Sequence, residues 1–188
     1  MTNDSASKLS KATVGLHWIV ATLMILLLAS GIYMENTEAF ALFPWHKSFG
    51  VVVFLFAILR IAWRVKQGWP KPVSTYSSIE QILSKTTHWV LILATVMMPI
   101  SGFVMSAMGG YGVEVFGMEL FSKNTSPNDP FEFIAINGGL ADFAHTLHGL
   151  IGNILLVAVI LHTLGAFKHH FLDKDATIRR MLGYSTEV

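Results

Sequence analysis

An all-α integral membrane protein, a bundle of four spanning helices with both termini cytoplasmic, is the fold class this sequence predicts, on three observations. Of 188 residues, 53% are hydrophobic and only 13% charged, and the mean hydropathy is +0.54, well outside the usual soluble balance. Four apolar runs are each long enough to cross a hydrocarbon core about 30 Å thick, which takes about 20 helical residues. The basic residues segregate by side. Lys8, Lys11, Arg60, Arg64, Lys66, Lys71, Lys85, Lys168, Lys174, Arg179 and Arg180, eleven of thirteen, fall in or beside the N-tail, the connection after the second run and the C-tail. Lys47 and Lys123 alone fall on the other side, so the positive-inside rule puts both tails in the cytoplasm.

The first helix is expected at about 14–34. It is too long and starts too late for a signal peptide, and no small-residue cleavage site precedes a hydrophilic domain, so it is read as retained. The second is expected at about 46–63, its cytoplasmic end marked by Arg60 and Arg64. Pro70 and Pro72 interrupt the connection that follows, and Ser84 to Thr87 leads into a third helix at about 88–108 much as Ser10 to Thr13 leads into the first. The longest connection, 109–143, is external. Gly109, Gly110, Asn124, Pro127, Pro130 and Gly138 mark turns in it, and Phe131 to Ile136 is apolar enough to lie on the membrane surface. The fourth helix is expected at about 144–167. All of this reads as one transmembrane domain over 1–188.

There is no cysteine, which excludes disulfides, thiolate-ligated iron and the C-x-x-C-H attachment of a covalent haem. A metal must be held by other ligands, and eight histidines are available. A lone histidine at a helix end is usually an interfacial residue, and Trp18, Trp45, Trp63, Trp69 and Trp89 fit an aromatic belt. The depths and phases of the histidines argue for more. His148 and His162 bound the run HGLIGNILLVAVILH. Fourteen steps of about 100° end about 40° short of four turns and rise about 21 Å, so both rings leave nearly one face at two depths. His145 falls about 100° away from His162. His46, near the external end of helix two, matches the depth of His148. His162 needs a cytoplasmic-side partner, His17 or His88. His17, six residues after Lys11, matches the depth of His162, six before Lys168, better than His88 does.

Two histidines at each of two depths in a helical bundle are what two haems need for axial ligation. Gly15, Gly50, Gly149, Gly152 and Gly165 leave room for a wide planar group, or serve only close helix packing. The expected iron ligands are therefore His46 with His148 for an outer haem and His17 with His162 for an inner one. Filling both axial positions favours electron transfer over oxygen chemistry. A lipid-soluble quinone is the expected exchange partner. His88, His169, Arg64 and Lys85 are candidates to contact the quinone or a haem propionate, His169 standing only about 20° off the face of His162.

With these residues in place the sequence resembles the bacterial cytochrome b561 family of small inner-membrane dihaem proteins, from Ala12 to about Leu182. The resemblance is carried by Gly15-Leu16-His17-Trp18, Trp45-His46-Lys47-Ser48-Phe49-Gly50 with Leu59-Arg60 and Arg64, Met98-Pro99-Ile100-Ser101-Gly102, and His148 to His162 followed by His169-His170. It implies non-covalent haem b on His17, His46, His148 and His162, redox exchange with ubiquinone, and superoxide oxidation at the outer face as a further activity. The external segments set two lysines against seven acidic residues, a net charge of −5, which opposes long-range steering of an anion, although Lys47 is local to the outer histidines. Two alternatives stand beside this reading. One is a haem b membrane anchor passing electrons between a partner redox protein and quinone, with the external loop as docking surface. The other is a proton or metal transporter with histidine relays and no haem. Lipid is the surrounding partner, and no nucleic acid is expected.

Overall fold

Helix α1 (Lys11–Thr37) starts where the Ser10 hydroxyl accepts from the Thr13 N–H, and it ends at Glu38, which turns left-handed at φ 53°. A single 3-10 turn (Phe40–Leu42) leads into α2 (Phe43–Gln67), with Pro44 in its first turn, where a missing N–H is harmless. The computed structural model described here covers residues 4–5, 7–70 and 72–186. Lys71, counted above among the basic residues, lies outside the described residues.

Helix α3 (Ser78–Met108) begins ten residues before the expected 88. A capping box between Ser77 and Glu80 closes its first turn, so Ser84 to Thr87 lies inside the helix and starts nothing. Helix α4 (Gly138–Phe167) likewise begins six residues early, because Asn137 caps it by accepting from the Leu140 N–H; Gly138 is therefore helical and marks no turn. All four helices are long and apolar enough to span a membrane, and the chain is a membrane helical bundle. α1 packs mainly on α2, as their short antiparallel connection dictates, and α3 packs mainly on α4 although the longest connection separates them. The N- and C-tails meet at one end, where the Thr186 N–H donates to the Ser7 carbonyl and Trp18 Nε1 donates to the carbonyl of Met181 in the short helix α5 (Thr177–Met181).

At the other end the long connection, in which the sequence marks turns but no strands, contains a two-stranded antiparallel hairpin, β1 (Val113–Val115) and β2 (Met118–Phe121). Its turn puts Phe116 and Gly117 both at positive φ, 50° and 86°, the geometry that matches strand twist in a tight hairpin. The hairpin docks on α2 through the Phe116 N–H, which donates to Ser48 Oγ, and through Phe116 against Trp45 and Phe49.

Between the two ends lies one apolar cluster built on Val20, Met24, Leu28, Val53, Ala94, Ile151 and Leu155. Val53 and Leu155 are fully buried. Each stands seven residues from the histidine at either end of its interval, Val53 from His46 and Leu155 from both His148 and His162. Seven residues are nearly two helical turns, so the cluster is a spacer layer on the same faces as the histidines.

Candidate functional site

A fourteen-residue interval recurs in all four helices. It links His17 to Gly31 in α1, His46 to Arg60 in α2, His88 to Gly102 in α3 and His148 to His162 in α4. Because neighbouring helices run in opposite directions, the interval assembles two layers about 21 Å apart. The layer at the hairpin end holds His46 and His148 with Gly31 and Gly102 beside them. The layer at the tail end holds His17, His162, Arg60 and His88.

In the hairpin-end layer the His46 and His148 ring centroids stand 6.4 Å apart. Ser30 Oγ donates to the Leu27 carbonyl at 2.9 Å, so it accepts from His46 Nδ1, also 2.9 Å away. His148 Nδ1 lies 3.0 Å from the Met98 carbonyl and 3.1 Å from Ser101 Oγ, whose own hydrogen goes to the same carbonyl. A carbonyl only accepts, so Nδ1 carries the proton. In both histidines the tautomer leaves a lone pair on Nε2, the state a metal ligand requires. The His148 ring lies close against α3 at Gly102. A Cβ there would stand 3.0 Å from His148 Cε1 and 3.2 Å from Nδ1, closer than carbon atoms normally approach. The cleft between the two rings is lined by Met24, Leu28, Gly50, Val53 and Met98 and is otherwise apolar.

In the tail-end layer His17 and His162 stand 6.3 Å apart. His88 also reaches His162, edge to face at 5.1 Å and 85°, and its Nδ1 lies 2.6 Å from the Ser84 carbonyl. His17 Nδ1 is 2.9 Å from Arg60 Nη2. A guanidinium has no lone pair, so Arg60 donates and a neutral His17 carries its proton on Nε2. His17, His46, His148 and His162 are all half-buried, whereas His88 and His145 are exposed.

These distances test the fit of a haem. An imidazole nitrogen binds a transition metal at about 2 Å, and the ring centre lies about 1.1 Å behind it, so two axial imidazoles on one iron have centroids about 6.2 Å apart. Both pairs meet that spacing, while His88 and His162 are too close to hold an iron between them. At the hairpin end the Nδ1 partners fit as well.

The candidates for quinone or propionate contact are not gathered into one group. Immediately after α4 the chain widens into a π-helical turn (Lys168–Leu172), so the phase of His162 does not carry over unchanged to His169. His169 stacks on Tyr76 at 4.4 Å, and its Nδ1 bonds Asp173 Oδ2 at 2.7 Å. Lys168 reaches Asp173 and Glu80, and with His169 it holds the Asp173 carboxyl below the ordinary range. Tyr76 donates to Asp175 at 2.5 Å; burial, followed by that bond, raises its hydroxyl pKa. Arg64 is bound elsewhere, to Asp4, Thr13 and the Gly68 carbonyl. Lys85 is exposed. No hydrogen bond, ion pair or ring contact joins Arg64 or Lys85 to His169 among the described residues.

Ser30, Ser101, Gly31, Gly102, Arg60 and the Met98 carbonyl complete the two layers, and sequence reasoning gave none of them such a role. The motif Met98-Pro99-Ile100-Ser101-Gly102 was visible, but what it does, seating His148, is legible only once α3 and α4 are set side by side.

Four spanning helices carrying histidine pairs at the spacing of axial ligands define a membrane haem protein. A family model described as prokaryotic cytochrome b561 matches residues 8–184. The chain is 31% identical over 177 residues to cytochrome b561 homolog 2 of Escherichia coli (strain K12), covering 90% of this chain and 88% of that protein. It is 27% identical over 179 residues to the probable superoxide oxidase CybB of Yersinia pestis, covering 93% and 96% respectively. Cytochrome b561 homolog 1 of Escherichia coli (strain K12) is 22% identical over 181 residues, or 94% and 97% of the two chains. The chain therefore belongs to the prokaryotic cytochrome b561 family, whose members bind haem b and transfer electrons in the membrane.

Proposed function

We propose that this cytochrome holds two haems b and carries electrons across the bacterial inner membrane to or from ubiquinone. His46 and His148 would bind the outer haem, His17 and His162 the inner one. The observation that carries this reading is the pair of matched spacings, 6.4 and 6.3 Å, fourteen residues apart on one face of α4. Bound haem supplies a one-electron couple. The chain's own residues do the rest: Ser30, Ser101 and the Met98 carbonyl hold two imidazoles by Nδ1, and the layer around Val53 and Leu155 keeps water out between the two centres. Holding an iron from both sides, these histidines would leave no coordination position for a substrate, which favours electron transfer.

The asymmetry of basic residues supports cytoplasmic tails and a periplasmic hairpin. His169 is the strongest candidate for the quinone contact. Asp173 Oδ2 accepts from its Nδ1, so a neutral His169 presents Nε2 as an acceptor, able to receive the hydrogen of a quinol hydroxyl at the tail-end interface; His88, Lys85 and Arg64 remain secondary candidates.

Superoxide is the donor that one relative's name suggests, and the hairpin end offers a local site for it. There Lys47 Nζ bonds the Gly112 carbonyl at 3.1 Å and Lys123 pairs with Glu114 at 2.6 Å. These three side chains give a local charge of +1 on a face whose sum is −5. The test is a stopped-flow experiment on purified protein. Superoxide should reduce the haem, and ubiquinone-1 should reoxidise it with no second protein present. Haem that ubiquinone cannot reoxidise would overturn the quinone assignment, and co-purification of a stoichiometric redox subunit would favour a membrane anchor.

A further inference from the structure

Arg60 stands in α2 where the fourteen-residue interval brings it level with His17 and His162. It lies seven residues, about 10 Å, before the end of its helix at Gln67. Its guanidinium has five N–H donors, yet its one hydrogen bond among the described residues goes to a neutral acceptor, His17 Nδ1. None of the described ion pairs includes it. The contrast with Arg64, one turn further on, is direct: that residue has its own carboxylate in Asp4, 3.1 Å away. An arginine inside a membrane-spanning segment without a counter-ion is costly and characteristically serves a ligand.

At the hairpin end the nearby cation, Lys47, is turned to the Gly112 carbonyl. The positions equivalent to Arg60 and His88 there are Gly31 and Gly102. Among the described residues no carboxylate pairs with Arg60, so the anion that matches it is not supplied by any of them.

We propose that Arg60 is the binding site for a propionate carboxylate of the inner haem. This rests on the dihaem reading above. Charge-assisted pairing of guanidinium with carboxylate is stronger than a bond to a neutral imidazole. Engaging the propionate also releases His17 Nδ1, so that a neutral His17 can place its proton there and present Nε2 to iron. Arg60 thus couples recognition of the haem's acidic edge to the readiness of one axial ligand.

The experiment uses full-length protein in detergent, isolated from haem-deficient cells and titrated with protohaem or with protohaem dimethyl ester, whose propionates carry no charge. The Soret band reports binding, and the inner site is the one missing from His162→Ala. Arg60→Gln should weaken protohaem at the inner site by about 10- to 100-fold, the range expected for a hydrogen bond between charged groups, and Arg60→Lys by less. With the dimethyl ester, wild type and Arg60→Gln should agree within about twofold, because the coupling partner has gone. An equal loss with both haems would show that Arg60 acts only through His17 and would overturn the proposal, as would no loss with either. Wild type that takes up fewer than two protohaems would instead sink the dihaem reading itself.

Discussion

Replacing Gly102 with alanine tests how closely the chain seats His148. The added Cβ would stand 3.0 Å from His148 Cε1, at least about 0.5 Å inside ordinary carbon contact. The obstacle to relief is local. The ring is fixed at Nδ1, itself 3.2 Å from the added Cβ, by bonds to the Met98 carbonyl and Ser101, both on the same helix as the intruding methyl. A ring displaced by about 0.5 Å would stretch an axial bond of about 2 Å by a quarter. Overpacking of this kind costs about 1–3 kcal/mol, which at tenfold per 1.4 kcal/mol is about a 5- to 100-fold loss in haem affinity. Gly31→Ala is the matched control, because its Cβ would meet His46 Cε1 at 3.6 Å, an ordinary contact, and its effect should stay within about threefold. Titration of each variant with protohaem, followed by its low-spin absorption, measures both. If Gly102→Ala binds the outer haem as tightly as wild type, or if Gly31→Ala is the more damaging change, the seating of His148 has been misassigned.

Three further outcomes follow from the same geometry. Ser30→Ala removes the acceptor for His46 Nδ1 and should weaken the outer haem by about tenfold, the low end for loss of a group that orients a metal ligand; unchanged affinity would show that Ser30 does not orient His46. His17→Ala should leave one haem per chain and His88→Ala two, by pyridine haemochrome assay; the reverse pattern would assign the inner ligand to α3. At the N-tail, burial opposes ionisation of Asp4, but bonds from Ser10 and Thr13 and the charge of Arg64 outweigh it and hold the carboxyl below its ordinary value. A depressed carboxyl stabilises the fold above the unfolded value near pH 3.8 and loses that contribution as pH falls through the folded value. Acidification below about pH 4 should therefore free the tail, with a change in Trp63 fluorescence, because Trp63 Nε1 bonds the same Thr13 hydroxyl that meets Asp4. Asp4→Asn should abolish this acid transition.

The helices were legible because membrane spans announce themselves by length and apolarity alone, and their interiors agree with the expected ranges. Their starts were harder to read. Ser77 with Glu80 is a capping box, yet Ser84 to Thr87, nearer the apolar run, offered equally good local signals and lies inside the helix. The hairpin was missed because Val113 to Phe121 alternates apolar and acidic residues over only three or four positions per strand, around a turn whose first positive-φ residue is Phe116, a poor advertisement for one. His148 and His162 share a face by arithmetic. By contrast, the seat of His148 depends on which helix lies beside it, and the interval from His46 to Arg60 gains meaning only when α2 is set antiparallel to α1. The π-helical turn at Lys168–Leu172 had no sequence mark at all, so the phase of His169 could not be extended from His162.

The most direct test of the account is low-temperature EPR of the oxidised, purified protein together with its haem content, for wild type and for His148→Ala. The account predicts two haems b per chain with two low-spin bis-histidine signals in wild type, and loss of only one of them in His148→Ala. A single haem per chain, or a high-spin iron with an open axial position in wild type, would contradict it.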